Sequence, residues 1–418
     1  MLQTRPYTPL DSQTVASRVG ALPGMTARLG PSDRWRVKEV GDGNLNLVFI
    51  IEGPSGFAVA KQALPYARCV GDAWPMSLDR AYFEYNALIR LGARDPQRLP
   101  EVYAFDEGQA LVVMEYLHPH IILRKALVEG EYLPYLARDT GRYLARTLFR
   151  GSDLAMETSG RKADLALFAH NVELCGITED LVFTDPFHRS PRNRHTTGLE
   201  RDAERVRGDR ALKLAAFDLK MHFATAAETL LHGDFHTGSV MVTPDDTRVI
   251  DAEFAFYGPM GFDLGCYLGN LLLAFFAQSG LRGGGTDRSA YAAWILGTIE
   301  GTWREFATEF AVLWRTERNG MLGVPELFED ASDGKGADMA LEAVLAGIWR
   351  DTVGFAGIEM HRRILGLAHA AEIEAIENES VRSACERRAL AAARAMMIHR
   401  DVFSPATLPS HVASVSRG

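Results

Sequence analysis

Two short acidic stretches stand out near the middle of the chain. The first is His232-Gly233-Asp234, which follows an apolar pair, and the second is Asp251-Ala252-Glu253, which follows another short apolar run. A single carboxylate on a tight loop suits the orientation and deprotonation of an alcohol, and an acidic pair suits magnesium bound to ATP. These stretches therefore predict phosphoryl transfer, with Asp234 as the catalytic base and with Asp251 and Glu253 as metal ligands.

A lone lysine is the next candidate, because it stands in an otherwise apolar predicted strand. Residues 35–63 are typical of three antiparallel strands joined by glycine-containing turns, and Lys61 lies in the third. Lys61 is either an edge-strand lysine or the cation that bridges the ATP phosphates. The second role needs an acidic partner to fix the side chain, and Glu84 on the next predicted helix offers one. The alternative for Glu84 is a solvated helical glutamate.

The turn between the first two strands is rich in residues that tolerate positive φ. It reads Gly41-Asp42-Gly43-Asn44-Leu45-Asn46 and carries two of the three glycines of G-x-G-x-x-G, with Asn46 at the third position. Such a turn lets the backbone lie close to a ligand. It is interpreted either as a phosphate-covering turn or as a turn without further function.

Two further strands, over 99–105 and 110–114, complete a predicted five-stranded antiparallel sheet with one inserted helix. The last strand leads into Glu115-Tyr116-Leu117, a short connector that can offer backbone N–H and C=O groups to adenine. The loop over 71–76 carries an aromatic residue, Trp74, which is predicted to lie near the cleft.

Beyond about residue 120 the pattern becomes helical, and two features interrupt its apolar runs. Arg362 and Arg363 fall within the largely apolar stretch 336–375. A buried arginine needs partners, so at least one of the pair is predicted to reach a cleft, with a surface salt bridge as the alternative. Asp263 begins an apolar helix, where it either caps backbone N–H groups or takes part in catalysis.

These patterns predict an α+β chain in four parts. The parts are an N-terminal cover segment with a short helix over 1–34, a sheet-bearing ATP-binding N-lobe over 35–117, a larger and mostly helical C-lobe over 118–403, and a loose tail over 404–418.

The amino-acid composition limits the classes of protein to which the chain can belong. The chain has 418 residues, of which 47% are hydrophobic and 24% charged, so a sizeable core is expected. A net charge of −9 argues against nucleic acid or an anionic membrane as a partner. No signal peptide is apparent, and the longest apolar run, over 264–277, is too short for a membrane span. Widely spaced cysteines without a CxxC pair favour reduced thiols in a cytoplasmic protein.

Taken in order, the strand lysine, the His-x-Asp loop and the acidic pair resemble the protein-kinase-like fold in its small-molecule branch, the aminoglycoside and choline kinase relatives. The resemblance covers about residues 35–380 and implies a two-lobed molecule. Gly233 stands where protein kinases carry Arg, Ser239 stands where they carry a metal-binding Asn, and no activation segment follows Glu253. These departures argue against a peptide substrate and assign the metal role of that Asn to Glu253.

The same departures are similar to one family of that branch, the 5-methylthioribose kinases. Phe235 and Ala252 replace the Leu and Pro that are usual in the family, and neither is expected to touch a reacting atom. The matching segments span most of the chain and are residues 42–46, 74–76, 79–80, 181–187, 232–239, 253–259, 362–363 and 366–369.

This resemblance implies ATP-dependent phosphorylation of the 1-hydroxyl of 5-methylthioribose, giving the 1-phosphate in methionine salvage. It implies that Asp234 acts on that hydroxyl, that the sugar is held by Asp234, Arg362, Arg363 and Trp74, that Mg²⁺ is bound by Asp251 and Glu253, and that the protein is a homodimer. The ATP-binding residues that it implies are Asn44, Lys61, Glu84, Glu115, Tyr116, Leu117, Asp251, Ala252 and Glu253.

Two alternatives stay open at this point. One is a kinase of another small alcohol, such as an amino alcohol or an aminoglycoside, whose cationic substrate would favour an acidic, aromatic pocket over an arginine pair. The other is a catalytically inactive nucleotide-binding regulator. The joint presence of Lys61, Asp234, Asp251 and Glu253 argues against it.

Overall fold

The computed structural model describes residues 7–41, 45–68, 71–282, 285–323, 327 and 335–417. The chain divides into two compact units. The first unit comprises Met1–Pro119, Asn171–Leu174 and Arg248–Ala255, and the second comprises the other residues. The predicted boundary near residue 117 is close to the main division. The sequence had placed 171–174 and 248–255 in the helical C-lobe, whereas the structure groups them with the first unit.

A five-stranded antiparallel sheet is the centre of the first unit, as predicted. Its order is β1-β2-β3-β5-β4. Lys61 pairs with Val48 on one side and with Val112 on the other, so it lies in a central strand and the edge-strand alternative is wrong. The strands are β1 Arg36–Val40, β2 Asn46–Gly53, β3 Gly56–Ala63, β4 Val102–Asp106 and β5 Leu111–Met114.

Helices α1 Thr14–Gly20 and α2 Met25–Leu29 form the N-terminal segment, and α3 Arg80–Arg94 is the helix between β3 and β4. The apolar side chains of α1 and α2 pack into one cluster with those of the sheet, which explains why the N-terminal segment belongs to the first unit. The buried members of that cluster include Val15, Val19, Met25, Leu29, Phe49, Ile51, Ala58 and Ala60.

The second unit is mostly helical, as predicted. Two short strand pairs accompany the helices: β6 Ile121–Ile122 with β8 Val240–Val242, and β7 Thr229–Leu230 with β10 Tyr257–Gly258. Strand β9 Thr247–Val249 and helix α7 Val172–Leu181 each contain one of the points at which the chain passes from one unit to the other. The helices of the unit are α4 Leu123–Glu129, α5 Leu136–Arg150, α6 Thr158–Phe168, α8 Glu200–Gly208, α9 Arg210–Thr225, α10 Gly261–Ala277, α11 Arg288–Thr316, α12 Lys335–Leu365, α13 Ala371–Glu374, α14 Glu379–Ile398 and α15 Thr407–Arg417.

Three of these helices begin at a side chain that accepts backbone hydrogen bonds. Asp209 accepts from the N–H of Leu212 at the start of α9. Asp287 and Asn378 do the same for two N–H groups each at the starts of α11 and α14. Asp and Asn favour this position because their short side chains satisfy N–H groups that have no partner within the helix.

Helix α10 is buried along its whole length, which explains the longest apolar run of the sequence. It packs closely against α12 through glycines four residues apart. A Cβ added at Gly261, Gly265 or Gly269 would approach atoms of α12 to between 2.5 and 2.8 Å. Among the described residues, no helix is both long enough and apolar enough to cross a membrane.

Gly265→Ala is expected to destabilise the protein by about 1–3 kcal/mol, because an overpacked core forces its neighbours to shift. The added methyl group would lie 2.5 Å from Phe355 Cβ and 2.9 Å from the Ala356 nitrogen. Gly297→Ala is the matched control, since no atom lies within 4 Å of a Cβ at this exposed position in α11. The control is expected to raise stability by up to about 1 kcal/mol. Urea unfolding checks both values, and equal midpoints for the two variants would contradict the packing argument.

The prediction of a loose tail over 404–418 is wrong, because residues 407–417 form α15. Leu408 and Val412, one helical turn apart, are buried. The preceding segment is also attached, since the Trp349 indole N–H donates to the Phe403 carbonyl at 2.8 Å. Burial of these side chains stabilises a helix whose sequence, with Pro409 and several small polar residues, does not favour one.

Candidate active site

Lys61 lies among carboxylates in the first unit. Its Nζ is 2.7 Å from Glu84 Oε1, and it also forms an ion pair with Asp251 Oδ1. Lys61 and Glu84 are both buried. The structure therefore brings together the strand lysine and the helical glutamate that the sequence proposed as partners, and Glu84 is not a solvated residue.

Three carboxylates of this unit, Glu84, Asp251 and Glu253, can each offer an oxygen atom to one ion. These oxygens all lie within 4.8 Å of one another. We call these residues and Lys61 the carboxylate centre. Oxygen donors of this kind are the ligands that Mg²⁺ prefers, so the centre fits the metal that accompanies ATP.

Asp251 and Glu253 are held differently within the carboxylate centre. Asp251 has a φ of +72°, in the left-handed region that few residues other than Gly adopt, and its side chain is exposed. Such a conformation persists only where the surroundings enforce it, and it is common at functional sites. Glu253 is buried and accepts a hydrogen bond from Asn46 Nδ2 at 3.0 Å. Asn46, at the third position of the glycine-rich turn, thus contacts an acidic residue that the sequence assigned to metal.

Two residues that the sequence analysis did not assign to the site, Arg80 and Asn171, position Glu253. The fully buried Arg80 guanidinium lies 3.6 Å from the Glu253 carboxylate. Asn171 Nδ2 donates to the backbone carbonyls of Glu253 and Ala255 at 2.9 and 3.0 Å. Arg80 stands in a segment matched by the family resemblance, but neither residue has a spacing that reveals its partner.

The closely spaced carboxylates of the carboxylate centre shift the pKa values of its residues. Burial by itself would lower the pKa of Lys61, but the adjacent Asp251 and Glu84 carboxylates outweigh it and raise that pKa. Burial raises the pKa of Glu253, and the nearby Asp251 charge adds to this effect. Lys61 is therefore a permanent cation among acids that would be stabilised by a further positive charge.

The connector after β5 lies where the sequence placed it, and its first N–H group is engaged within the unit. Glu115 N–H donates to the Glu101 carbonyl at 2.8 Å, and the Glu115 carboxylate lies 2.7 Å from Arg248. The Tyr116 ring lies 5.8 Å from the Phe57 ring, and Leu117 is buried. Adenine recognition at Glu115 would thus rest on its carbonyl oxygen.

Three further residues of the first unit were predicted to belong to the site, namely Ala252, Trp74 and Asn44. Ala252 is fully buried between the two acids. Trp74 is half-buried, and its backbone is fixed by hydrogen bonds with Ala67 and Gly71. Asn44 lies outside the described residues. The contact of Trp74 with the sugar stays a prediction, because Trp74 and the arginine pair belong to separate units.

In the second unit, the loop that carries Asp234 is fixed by Asp263. The Asp263 carboxylate accepts the N–H groups of His232 at 2.7 Å and of Gly233 at 3.0 Å. Gly233 has a φ of +84°, which explains a glycine at this position. Ser239 Oγ donates to the Asp234 carbonyl at 2.8 Å. Asp263 is therefore a residue that positions the loop, and the Ser239 hydroxyl is engaged in holding it.

Arg362 and Arg363 both reach Asp234. Arg362 NH1 lies 3.5 Å and Arg363 NH2 lies 3.6 Å from Asp234 Oδ1. Their side chains are 12% and 7% exposed, so the surface alternative is wrong for both. The sequence predicted that at least one arginine would reach a cleft, and the structure brings both to the predicted catalytic base.

Glu359 binds the same two arginines from within α12. It accepts from Arg363 Nε at 2.6 Å and from Arg362 NH1 at 3.1 Å, and Asn270 Nδ2 donates to it at 3.0 Å. We call Asp234, Glu359, Arg362 and Arg363 the arginine centre. Its two guanidinium charges face two carboxylate charges, so the centre offers hydrogen-bond donors with little net charge. Glu359 was not predicted, although it precedes the arginines by the three and four residues that place helical side chains on one face.

Asp234 is ionised at neutral pH. Burial by itself would raise the pKa of Asp234, but His236 and then Arg362 and Arg363 outweigh it and hold that pKa well below its ordinary value. A carboxylate in this state accepts a hydrogen bond from an alcohol readily, and its low basicity favours orientation of the hydroxyl over early removal of its proton.

The chain is similar to several known proteins. A model of the phosphotransferase enzyme family matches residues 36–294. The chain is 46% identical over 417 residues to methylthioribose kinase 1 of Oryza sativa subsp. japonica, covering 98% of this chain and 96% of that protein. It is 44% identical over 407 residues to methylthioribose kinase of Escherichia coli O45:K1, covering 95% of each. A solved choline/ethanolamine kinase family protein from Mesorhizobium loti covers 97% of this chain and 99% of its own, with 14% identity and a TM-score of 0.39.

Proposed function

The chain belongs to the phosphotransferase enzyme family and, within it, to the methylthioribose kinases, and on that premise we propose that it transfers the γ-phosphate of ATP to the 1-hydroxyl of 5-methylthioribose. It is an ATP-dependent small-molecule kinase. The product is 5-methylthioribose 1-phosphate, an intermediate of methionine salvage. The observation that carries the choice of acceptor is the arginine centre, in which Asp234 lies beside two largely buried arginines whose charges are balanced.

The carboxylate centre supports the donor side of this proposal. Lys61 is suited to the ATP phosphates, and Glu84 holds its side chain. Asp251 and Glu253 would hold Mg²⁺, which neutralises charge on the phosphates when it is bound. We propose that the connector residues Glu115, Tyr116 and Leu117 meet adenine, and that Asn44 and Ala252 line the nucleotide site.

The balanced charge of the arginine centre supports a neutral acceptor. An anionic acceptor would gain little from arginines already paired with Glu359 and Asp234. A cationic amino alcohol or aminoglycoside would likewise gain little, since the Asp234 and Glu359 carboxylates are already paired with the two guanidinium groups. A neutral sugar instead offers several hydroxyls, which can accept from the arginines and donate to Asp234. We propose that Trp74 contributes apolar contact to the same substrate.

In the proposed mechanism, the enzyme promotes the reaction mainly by positioning the acceptor hydroxyl. The Asp234 carboxylate accepts a hydrogen bond from the 1-hydroxyl and so aims the sugar oxygen at the γ-phosphorus. The bond from that oxygen to phosphorus forms while the bond from phosphorus to the β,γ-bridging oxygen breaks, and ADP leaves with the electron pair. The hydroxyl proton passes to Asp234. Arg362 and Arg363 stabilise negative charge that develops at the acceptor, and no covalent enzyme intermediate is needed.

We further propose Mg²⁺ as the metal, a homodimer as the assembly and the cytoplasm as the compartment. The oxygen donors of the carboxylate centre support the choice of metal. The family resemblance supports the dimer, which sedimentation analysis tests. An enzyme that consumes ATP needs a compartment that supplies it, and this supports the location.

The direct test is turnover by the purified protein with Mg²⁺ and ATP. Formation of ADP is measured with 5-methylthioribose, ribose, choline and an aminoglycoside in parallel, and phosphorus NMR identifies the product. Turnover is expected with 5-methylthioribose, and the product is expected to be an anomeric phosphate. Turnover only with choline or the aminoglycoside would replace the proposed acceptor. ATP binding without turnover on any compound would favour a regulator.

Arg363→Ala is expected to lower kcat/KM for 5-methylthioribose by about 10²-fold, because removal of a buried charged hydrogen bond typically costs about 1.5–3 kcal/mol and leaves Glu359 without one partner. The KM for ATP is expected to change little. Arg350→Ala is the control, since Arg350 lies on the same helix with a half-exposed side chain paired to Asp351. Steady-state kinetics with each substrate varied measures both effects. An equal loss of ATP and sugar affinity in Arg363→Ala would contradict the assignment.

A further inference from the structure

His236 lies against the predicted catalytic base and has no role in the reaction described above. Its Nε2 is 3.3 Å from Asp234 Oδ2, whereas the two arginines approach the other carboxylate oxygen, Oδ1. His236 is 8% exposed. The contacts of His236 and of the two arginines given above are therefore to different oxygens of Asp234.

The second ring nitrogen of His236 fixes which nitrogen carries the proton. Nδ1 accepts the N–H of Gly238 at 2.8 Å, and Arg124 NH2 lies 3.3 Å from the same atom. Both neighbours are donors without acceptor capacity, so Nδ1 is unprotonated. The proton of the neutral ring is thus on Nε2, the nitrogen that lies 3.3 Å from Asp234 Oδ2. Burial lowers the pKa of His236 to about 4, so the ring is neutral at neutral pH.

The surroundings also lock the ring in place. A Cβ at Gly238 would overlap both the Arg124 guanidinium and the His236 imidazole, so this position needs glycine. The neighbouring Thr237 is held by α13, because Thr237 Oγ1 donates to Oε1 of Glu372 on that helix at 2.6 Å. Such support from outside the reacting groups is what keeps a catalytic side chain in one geometry.

We propose that His236 is a positioning residue that donates from Nε2 to Oδ2 of Asp234, so that Oδ1 is the oxygen that receives the hydroxyl of the acceptor. The inference rests on the proposed function in so far as Asp234 is the base. His236 fixes the rotamer of Asp234 and stabilises its ionised form. Because the ring is neutral, it does this without adding charge to the arginine centre.

Substitution of His236 is therefore expected to move the pH profile of kcat/KM in one defined direction. Loss of a donor to a carboxylate raises the pKa of that carboxylate, so the acid limb of the profile of kcat/KM moves to higher pH. The other ionisable groups that face Asp234 or His236 stay in place. They are Arg362, Arg363 and Glu359 on α12, Asp263 and Cys266 on α10, Arg124 on α4, and His232 in the loop itself.

The test compares His236→Leu with His236→Gln, whose amide nitrogen can replace Nε2 as the donor. His236→Leu is expected to lower kcat for 5-methylthioribose by about 10- to 100-fold, with the KM for ATP unchanged, and to move the acid limb upward. His236→Gln is expected to recover most of the rate and the original acid limb. A residue that only stabilised the fold would not give a shifted limb that glutamine restores.

A second measurement does not depend on the acceptor. Carbon NMR of the labelled Asp carboxyls, with Asp234 assigned through Asp234→Asn, follows its titration in the wild type and in both variants. A raised pKa of Asp234 in His236→Leu alone supports the inference, even if the wild type does not turn over 5-methylthioribose, in which case the proposed function fails by itself. Unchanged titration and equal rates for folded His236→Leu and wild type would overturn the inference.

Discussion

Asp234→Asn is expected to lower kcat for 5-methylthioribose by about 10²-fold or more, because it removes both the orienting carboxylate and the proton acceptor. ATP binding is expected to persist, since the residues that we propose to bind ATP, which include the carboxylate centre, belong to the first unit. The amide also loses the negative charge that faces Arg362 and Arg363. Single-turnover phosphorylation and a nucleotide titration measure the two effects separately.

The charge change at Asp234 needs its own control. Asp245→Asn alters charge by the same amount at an exposed position in the turn before β9 and is expected to leave kcat unchanged. Near-normal kcat in Asp234→Asn would show that this carboxylate is not the base. The family assignment would then stand, but the mechanism proposed above would not.

Asp251→Asn is expected to lower kcat by about 10²-fold or more and to raise the Mg²⁺ concentration needed for half-maximal rate, since a metal that clamps phosphates supplies several kcal/mol of charge stabilisation. Asparagine is the informative replacement because it tolerates the left-handed backbone that Asp251 adopts. Alanine would add backbone strain to the loss of charge. Initial rates over a series of Mg²⁺ concentrations give the result.

The same series discriminates between two readings of Asp251. Excess Mg²⁺ is expected to recover part of the rate if Asp251 is a metal ligand. If Asp251 serves only as the counter-ion of Lys61, the variant is expected to keep the wild-type dependence on Mg²⁺ and to lose affinity for ATP. That outcome would contradict the metal assignment.

The sheet of the first unit was predictable because its strands carry local signals. Apolar runs broken by glycine-containing turns give five strands with approximately the right bounds. Lys61 was identifiable because a cation in such a strand is unusual, and Glu84 because it lies on the next helix. In each case the informative residues are close in sequence to what they explain.

The residues that hold the site in place by hydrogen bonds were not predictable in this way. Asp263 holds the Asp234 loop from α10, and Asn171 reaches the Glu253 backbone from a distant part of the chain. A hydrogen bond between residues far apart in sequence leaves no spacing that a reader can recognise. Glu359 is a different case, because its spacing of three and four residues from the arginines can be recognised in the sequence of a helix.

The tail shows how packing overrides local preference. Residues 407–417 have no strong helical pattern, yet Leu408 and Val412 are buried and the segment is a helix. A short helix of weak propensity is stabilised mainly by the surface on which it packs. That surface is formed by α14, which directly precedes the tail, and by α11, which lies much earlier in the chain, so the sequence of the tail alone does not reveal it.

The glycines along α10 bear on how the protein would respond to random mutagenesis. At Gly261, Gly265 and Gly269 even the smallest side chain would meet α12. A library screened for growth that depends on this enzyme would therefore reject large side chains there as well as substitutions at Asp234, although these glycines contact no reacting atom. Abundance scored beside activity would separate the two groups, because the glycine variants lose folded enzyme and the Asp234 variants lose only turnover.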